Sequence, residues 1–229
     1  MGNLRSAGVD SGKSTCGGVT TYTRKGKTCR CRSKRPKLSV EERKRFIENQ
    51  TPEQREMVES FRFMSAFRSA FYKALGRWTP WDAYARGLAQ TGLNVFQMHN
   101  YSTCDTTGVV NFPAFLFSMG GLTLPVFTLV EREGWTVRLE WKSGLTVGKI
   151  RDDDQLLLGY LHESHPDSPQ LVWDAGATRS AGRAEFVLPD YGLDVSDPLH
   201  VYPFFGSWNG EEYSRSLYYR LEDGTRFVV

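Results

Sequence analysis

The spacing of the apolar residues changes once along this chain of 229 residues, and that change limits the possible folds more than any other feature. Between residues 51 and 75, apolar side chains recur at spacings of three and four, as they do on one face of a helix. From about residue 109 the spacing becomes two, which is typical of strands with one face in a core. Helices followed by a run of strands predict a chain of the α+β class.

Two helices are predicted from similar start signals, each of which begins with Thr-Pro. The segment TPEQ at 51–54 offers Thr as N-cap, Pro at the first helical position and Gln three residues after the cap, and TPWD at 79–82 resembles it. Because Gly76 ends the first helix and only a short turn separates the two, the sequence predicts a helical hairpin. A shorter helix begins after Ser39, which forms a capping box with Glu42. The apolar face of the first hairpin helix consists of Met57, Phe61, Met64, Phe67, Phe71 and Leu75.

Seven short apolar segments occupy the second half of the chain. They are LTLPVFTLV, WTVRLEW, QLLLGYLHE, QLVWD, RAEFVLP, LHVYPFFG and YSRSLYYRL, and turn segments such as RDDD, HPDSP, DAG and WNGEE lie between them. Strands at this spacing predict a C-terminal antiparallel β-sandwich of the immunoglobulin or fibronectin type III kind. Tyr202, in the sixth segment, lies where such domains carry a tyrosine corner.

The charge of the chain is unevenly distributed. Residues 1–37 contain ten Lys or Arg and one acid, a net charge of +9, whereas the whole chain carries +3 and the remainder therefore −6. The segment is rich in Gly, Ser and Thr, which predicts an extended basic arm with one hairpin rather than a packed domain. The predicted domains are the arm at 1–37, a helical region at 38–108 and the sandwich at 109–229.

The basic arm on an acidic body is typical of an interaction segment, and its charges are the candidate contact residues. The leading hypothesis is a protein partner or self-association, through the arm and the helices. The alternative is nucleic acid, bound without sequence preference through its phosphates. Only Tyr22 is aromatic in the arm, so a base-stacking surface is lacking. The candidate contact residues are Lys13, Arg24, Lys25, Lys27, Arg30, Arg32, Lys34, Arg35 and Lys37.

The segment AGVDSGKST at 7–15 matches the looser form of a phosphate-binding loop. Such a loop acts between a buried strand and a helix whose N-terminus binds the phosphates. Only six residues precede Ala7, and the TCGGVTTY that follows is a poor helix former. The chain also lacks the α/β alternation of a nucleotide-binding sheet. We therefore expect Lys13 to be one charge of the arm and not part of a nucleotide site.

No catalytic grouping is recognisable in the sequence. His162-x-x-His165 has the residue types of a metal site, but the pair falls where a strand becomes a turn, which favours solvated turn residues. The acidic run at 152–154 lacks the Gly and alternating oxygen ligands of a calcium loop, and a hairpin turn is predicted there instead. The prediction is a non-enzymatic protein with no cofactor, no metal and no small-molecule substrate.

The compartment is predicted from the cysteines and from the absence of membrane signals. The four cysteines lack the paired spacing of a zinc site, and free thiols in a reducing compartment are expected. No run of about eighteen apolar residues could span a membrane, and no secretory signal is recognised. The predicted location is the cytoplasm at synthesis, followed by an assembled particle such as a virion.

The order of six motifs resembles that of a known family. SGKSTCGGV, GKTCRCRSKRP, SVEERKRF, TPWDAYA, GATRSAG and LHVYPFFGSWNGEEYSRSLYY follow one another over nearly the whole chain. In this order they resemble a family of domains of unknown function that is abundant in Bacteroidota and in the phages and mobile elements associated with them. The chain departs from the pattern at Ser14, where the family usually has a small apolar residue, and at EERKR, where it has a glutamine-rich stretch.

The resemblance implies the layout of arm, helical hairpin and sandwich, and it implies no activity. Together with the charge pattern it leads to the expectation of a structural or interaction protein that is a subunit of a larger assembly, such as a phage virion or a surface particle. The alternative expectation is a non-specific nucleic-acid-binding protein that acts through the basic arm.

Overall fold

The computed structural model describes residues 14–16, 19–24, 27–32, 39–142 and 148–228. The chain divides into two compact units, residues 1–55 and residues 56–229. Helices and strands both contribute, and the strand pairings in the described ranges are antiparallel. The chain is therefore of the α+β class, as predicted.

The first unit contains a small sheet and one complete helix. The strands are β1 (Ser14–Cys16), β2 (Val19–Arg24) and β3 (Lys27–Arg32), in the order β1-β2-β3, and the helix is α1 (Val40–Glu48). The hairpin predicted in the basic arm is present as β2 and β3, with β1 as an additional strand. For these strands the structure defines the backbone path and the pairing register.

Three helices precede the large sheets. They are α2 (Pro52–Leu75), α3 (Pro80–Tyr84) and α4 (Gly92–Asn100), and short 3-10 turns span Tyr101–Thr103, Phe112–Ala114 and Arg179–Ala181. The helix predicted after residue 79 is only five residues long, because the chain turns after it and reaches Gly87 with a φ of 82°. The unpredicted α4 begins at an N-cap, where the Thr91 hydroxyl accepts a hydrogen bond from Asn94 N. No helix in the described ranges is long and apolar enough to cross a bilayer.

The remaining strands form two four-stranded sheets. The strands are β4 (Val126–Glu133), β5 (Thr136–Lys142), β6 (Gln155–His162), β7 (His165–Thr178), β8 (Arg183–Val187), β9 (Leu199–Gly206), β10 (Tyr219–Leu221) and β11 (Arg226–Val228). One sheet has the order β11-β4-β5-β8 and the other β10-β9-β6-β7. Each of the seven predicted segments contains a strand, and β11 was not predicted. The predicted turns HPDSP and DAG both lie within β7, so those two predictions are wrong.

The sheet β10-β9-β6-β7 is packed on both faces. On one face, Leu156 and Leu158 of β6 join a core with Val137 of β5. On the other face, Leu157 joins a second core with Phe71 of α2. Because both faces are covered, every residue of β9 is buried, and the segments of β6 and β9 are continuous apolar runs instead of alternating ones.

Tyr202 of β9 is buried, and its hydroxyl donates a hydrogen bond to Phe112 O at 2.9 Å. The acceptor lies 90 residues earlier in the sequence. The bond therefore connects β9 to a 3-10 turn and is not the local bond of a tyrosine corner.

Candidate interaction surfaces

Four of the predicted contact residues lie on the hairpin of the first unit. Arg24 is the last residue of β2 and is paired with Lys27, the first residue of β3. Arg30 and Arg32 follow on β3, where they are paired with Thr21 and Val19. The backbone therefore places these four on two adjacent strands. The other predicted contact residues, Lys13, Lys25, Lys34, Arg35 and Lys37, lie outside the described residues.

Helix α1 begins at the predicted capping box and has no buried residue. Glu42 N donates to Ser39 Oγ at 3.1 Å, and Ser39 N donates to Glu42 Oε2 at 2.7 Å. The apolar residues Val40, Phe46 and Ile47 are all exposed. Local signals thus account for where this helix begins, whereas its apolar side chains have no core to enter in the described structure.

Helix α2 buries four of the six residues of its apolar stripe. Met64 and the three apolar stripe residues that follow it are buried. Met57 and Phe61 belong to the same stripe but are 67% and 58% exposed. The first turns of α2 therefore carry an apolar stripe into solvent, which in a folded protein is typical of a contact surface for another molecule.

A cleft of about 620 Å³ lies on the outer side of the sheet β11-β4-β5-β8. Its floor is formed by cross-strand pairs of β5 and β8, from Arg138–Glu185 to Glu140–Arg183. One wall is a bulge of β7 at residues 174–177, where four residues lie opposite a single residue of β6. No signal in the sequence predicted this cleft, because it depends on a bulge in one sheet that lies beside the edge of the other.

His162 ends β6, and Glu163–Ser164 form the turn to β7. The prediction that His162 and His165 are both solvated is wrong for His162, which is buried and has no hydrogen-bond partner on either ring nitrogen. It is right for His165, which is exposed. Nδ1 of His162 lies 3.6 Å from Asp197 Oδ2. The same carboxylate oxygen accepts a hydrogen bond from Ser164 Oγ at 2.6 Å. Burial lowers the pKa of His162, although Asp197 acts in the opposite direction. The imidazole is therefore neutral at neutral pH and does not form a salt bridge with Asp197.

His200 of β9 is the second buried histidine. The ring of Phe112 stacks on it with the centroids 3.5 Å apart, and Tyr218 Oη lies 2.9 Å from its Nδ1. Its Nε2 lies 3.3 Å from Glu163 Oε2, which Arg220 also contacts at 3.0 Å. Burial lowers the pKa of His200 to about 4, although Glu163 acts in the opposite direction. A neutral imidazole thus connects β9 to the turn after β6 and to the segment before β10.

The acidic run at 152–154 forms the predicted turn, but Asp154 has a structural role. It is buried, and its Oδ2 lies 3.1 Å from Nε of the buried Arg179. Arg151 N also donates to this carboxylate, at 3.0 Å. Asp154 therefore stabilises the start of β6 and the 3-10 turn at 179–181 by a buried ion pair, and it is not a ligand exposed to solvent.

The described ranges contain no group of His, Cys, Asp and Glu side chains that could hold a metal ion. Cys104 is a free thiol, and burial raises its pKa to about 11, so it is protonated at neutral pH. Comparison with protein-family models gives no match, and comparison with curated proteins gives no significant one.

Proposed function

We propose that this chain is a non-enzymatic structural protein that assembles with copies of itself through its N-terminal unit and the first turns of α2. The observation that carries the proposal is the exposed stripe of Met57 and Phe61, which continues a stripe that is buried from Met64 onward. The fully exposed α1 and the basic hairpin support the same proposal. A phage virion or a surface particle is the kind of assembly proposed, in line with the resemblance of the motifs.

The strand order supports an immunoglobulin-like sandwich for the body. When β4 to β10 are lettered A, B, C, C′, E, F and G, strands A, B and E share one sheet and strands C′, C, F and G share the other. Strand β11 then extends the first sheet beside strand A. Such a sandwich is a scaffold and carries no activity by itself, so it agrees with a structural role without demonstrating one.

Self-association of the full chain is tested by light scattering over a range of concentrations. We expect the double substitution Met57→Gln and Phe61→Gln to weaken it at least about tenfold, because each apolar side chain contributes about 1.5–3 kcal/mol when buried. The matched control is Val110→Gln with Val126→Gln, which changes two exposed apolar residues of the body and is expected to leave association unchanged. A full chain that remains monomeric, or equal effects of both double variants, would contradict the proposal.

The second candidate function is non-specific binding of nucleic acid through the hairpin. The observation that favours it is the placement of Arg24, Lys27, Arg30 and Arg32 on two paired strands of a unit that is distinct from the acidic body. Side chains alternate along a strand, so Arg24 and Lys27 share one face of the hairpin and Arg30 and Arg32 share the other. Two charges on one face can contact successive phosphates, and such binding releases counterions and weakens steeply with salt.

A salt titration of binding to a random-sequence duplex tests this candidate. Replacing the four hairpin residues by Gln is expected to reduce the slope of log K against log salt concentration by about 2, because a duplex on one face meets two of them and each phosphate contact contributes roughly 0.9. A matched control replaces four exposed basic residues by Gln and is expected to leave the slope unchanged. These control residues are Arg62, Lys73, Lys142 and Arg215. Absence of binding at low salt would eliminate the candidate.

A further inference from the structure

The four edge strands of the body differ in how well they could pair with another strand. Strands β10 and β11 are three residues long. Strand β7 is longer but contains Pro166 and Pro169, which cannot donate to a neighbouring strand, and Pro166 O already accepts a hydrogen bond from Val109 N. Strand β8 has five residues and no proline. Among these edges, β8 is therefore the one best suited to strand addition.

The hydrogen bonds at the two ends of β8 show which of its residues face β5. Leu188 N donates to Trp135 O at 2.8 Å, and Trp141 N donates to Gly182 O at 2.9 Å. In an antiparallel pair, the residues of one strand alternate between bonding to the partner and facing away. The even-numbered residues from 182 to 188 therefore bond to β5.

The odd-numbered residues, Arg183, Glu185 and Val187, consequently direct their N–H and C=O groups to the free side of β8. In the described part of the chain these groups have no backbone partner. Three donors and three acceptors thus form an open edge directly beside the cleft.

The lining of the cleft has a small excess of negative charge. It contains three carboxylates, those of Glu140, Asp174 and Glu185, and two guanidiniums, those of Arg138 and Arg183. The guanidinium of Arg138 is bound by Glu185 at 2.8 Å and by Glu133 at 3.0 Å. A strand that carries positive charge would therefore complement the carboxylates around the edge of β8.

The chain itself contains such a strand. Strand β3 forms one edge of the small sheet, is six residues long and carries Lys27, Arg30 and Arg32. We propose that β3 of one copy adds to the free edge of β8 in a second copy, with Arg30 and Arg32, which share one face of β3, beside the cleft. Backbone hydrogen bonds supply the affinity and the opposite charges supply the specificity of this contact.

This inference rests on the proposed self-assembly and specifies how it occurs. The donor strand and the acceptor edge are different surfaces, so each copy both gives a strand and receives one. Two copies that exchange strands reciprocally form a two-fold dimer, and exchange that does not close between two copies produces a larger ring or an open filament.

Glu185→Pro tests the acceptor edge in the full chain. Because the N–H of Glu185 faces away from β5, proline at this position removes no hydrogen bond of the existing sheet but blocks pairing with an added strand. We expect the variant to keep the circular dichroism spectrum of the native protein and to assemble at least about tenfold more weakly. Glu185→Gln, which removes only the charge, is expected to have a smaller effect.

The two proposals fail in distinguishable ways. If the unsubstituted chain does not self-associate, the proposed function itself is wrong. If it self-associates and the folded Glu185→Pro variant does so equally well, self-assembly stands and the strand-addition inference is overturned.

A cross-linking experiment tests the same contact without relying on the proline variant. A tagged acceptor chain carries Glu185→Cys with Cys29→Ser and Cys31→Ser, and it is mixed with a donor chain that carries Thr28→Cys with the same two serine substitutions, because residue 28 lies on the same face of β3 as Arg30 and Arg32. Under mild oxidation we expect a disulfide between the thiol introduced at 185 and the thiol introduced at 28 of the other chain, identified by mass spectrometry. An acceptor carrying Glu163→Cys in place of the change at 185 is the control and is expected to give none.

Two results of the cross-linking experiment would overturn the inference. One is the absence of the cross-link between chains. The other is its formation only within a single chain when Glu185→Cys and Thr28→Cys are introduced into the same chain.

Discussion

Replacing Arg132 by Met is expected to lower the free energy of unfolding by about 3–5 kcal/mol. The Arg132 side chain is 1% exposed and donates four hydrogen bonds to backbone carbonyls. The acceptors are Gly134 O after β4, Val195 O and Asp197 O before β9, and Leu221 O at the end of β10. Met retains much of the volume but has no donor, so these carbonyls lose a charged partner in a buried site.

The control for this prediction is Arg226→Met on the neighbouring strand β11. Arg226 is largely exposed, and its guanidinium lies 3.9 Å from Glu131, so the change should stay within about 0.5 kcal/mol. Urea unfolding of both variants measures the difference. Equal stabilities of the two variants would show that the four buried bonds of Arg132 do not stabilise this end of the sheet β11-β4-β5-β8.

Replacing Gly159 by Ala is expected to cost about 3 kcal/mol or to prevent folding. Gly159 lies in the middle of β6, and a Cβ at this position would come within 2.3 Å of the ring of Phe117. That ring is fully buried in the core beneath the helices, so it has no space to move away. Thermal unfolding followed by circular dichroism measures the loss.

A double substitution shows whether the clash with the ring is the cause. Adding Phe117→Leu to Gly159→Ala should recover part of the stability, because the smaller side chain makes room for the new Cβ. Gly121→Ala is the control for the loss of glycine alone, since a Cβ there meets nothing within 4 Å. Absence of any recovery would mean that Phe117 does not determine the need for glycine at 159.

The elements that the sequence predicted correctly are those set by local interactions. The capping box of Ser39 and Glu42 is a contact between residues three positions apart, and the start of α2 at Thr51 with Gln54 is another. Such contacts are visible in the sequence because both partners lie within one turn of the chain. The seven strand segments were found for the same reason, since alternation and apolar runs are properties of single segments.

The errors concern residues whose environment depends on distant segments. His162 was expected to be solvated, but the segment with Asp197 and the side chain of Trp135 lie against it. The two turns expected within β7 are instead part of one strand, because β6 pairs with β7 on both sides of each of the two register shifts. Arg132 was not singled out, although it lies two residues after the buried Val130 and therefore on the inward face of β4. The spacing of two between Val130 and Arg132 was the signal in the sequence that could have identified Arg132 as buried.

The sequence by itself determined the class of the fold, the separation of a basic arm from an acidic body, and the positions of most helices and strands. These follow from charge, from apolar spacing and from caps, which all act between near neighbours in the chain. Only the tertiary structure decided that α2 leaves Met57 and Phe61 in solvent, that one sheet is covered on both faces, and that β8 keeps an open edge beside a cleft. Each of these depends on which distant segments pack together, because burial and strand pairing are properties of the assembled core and not of any one segment.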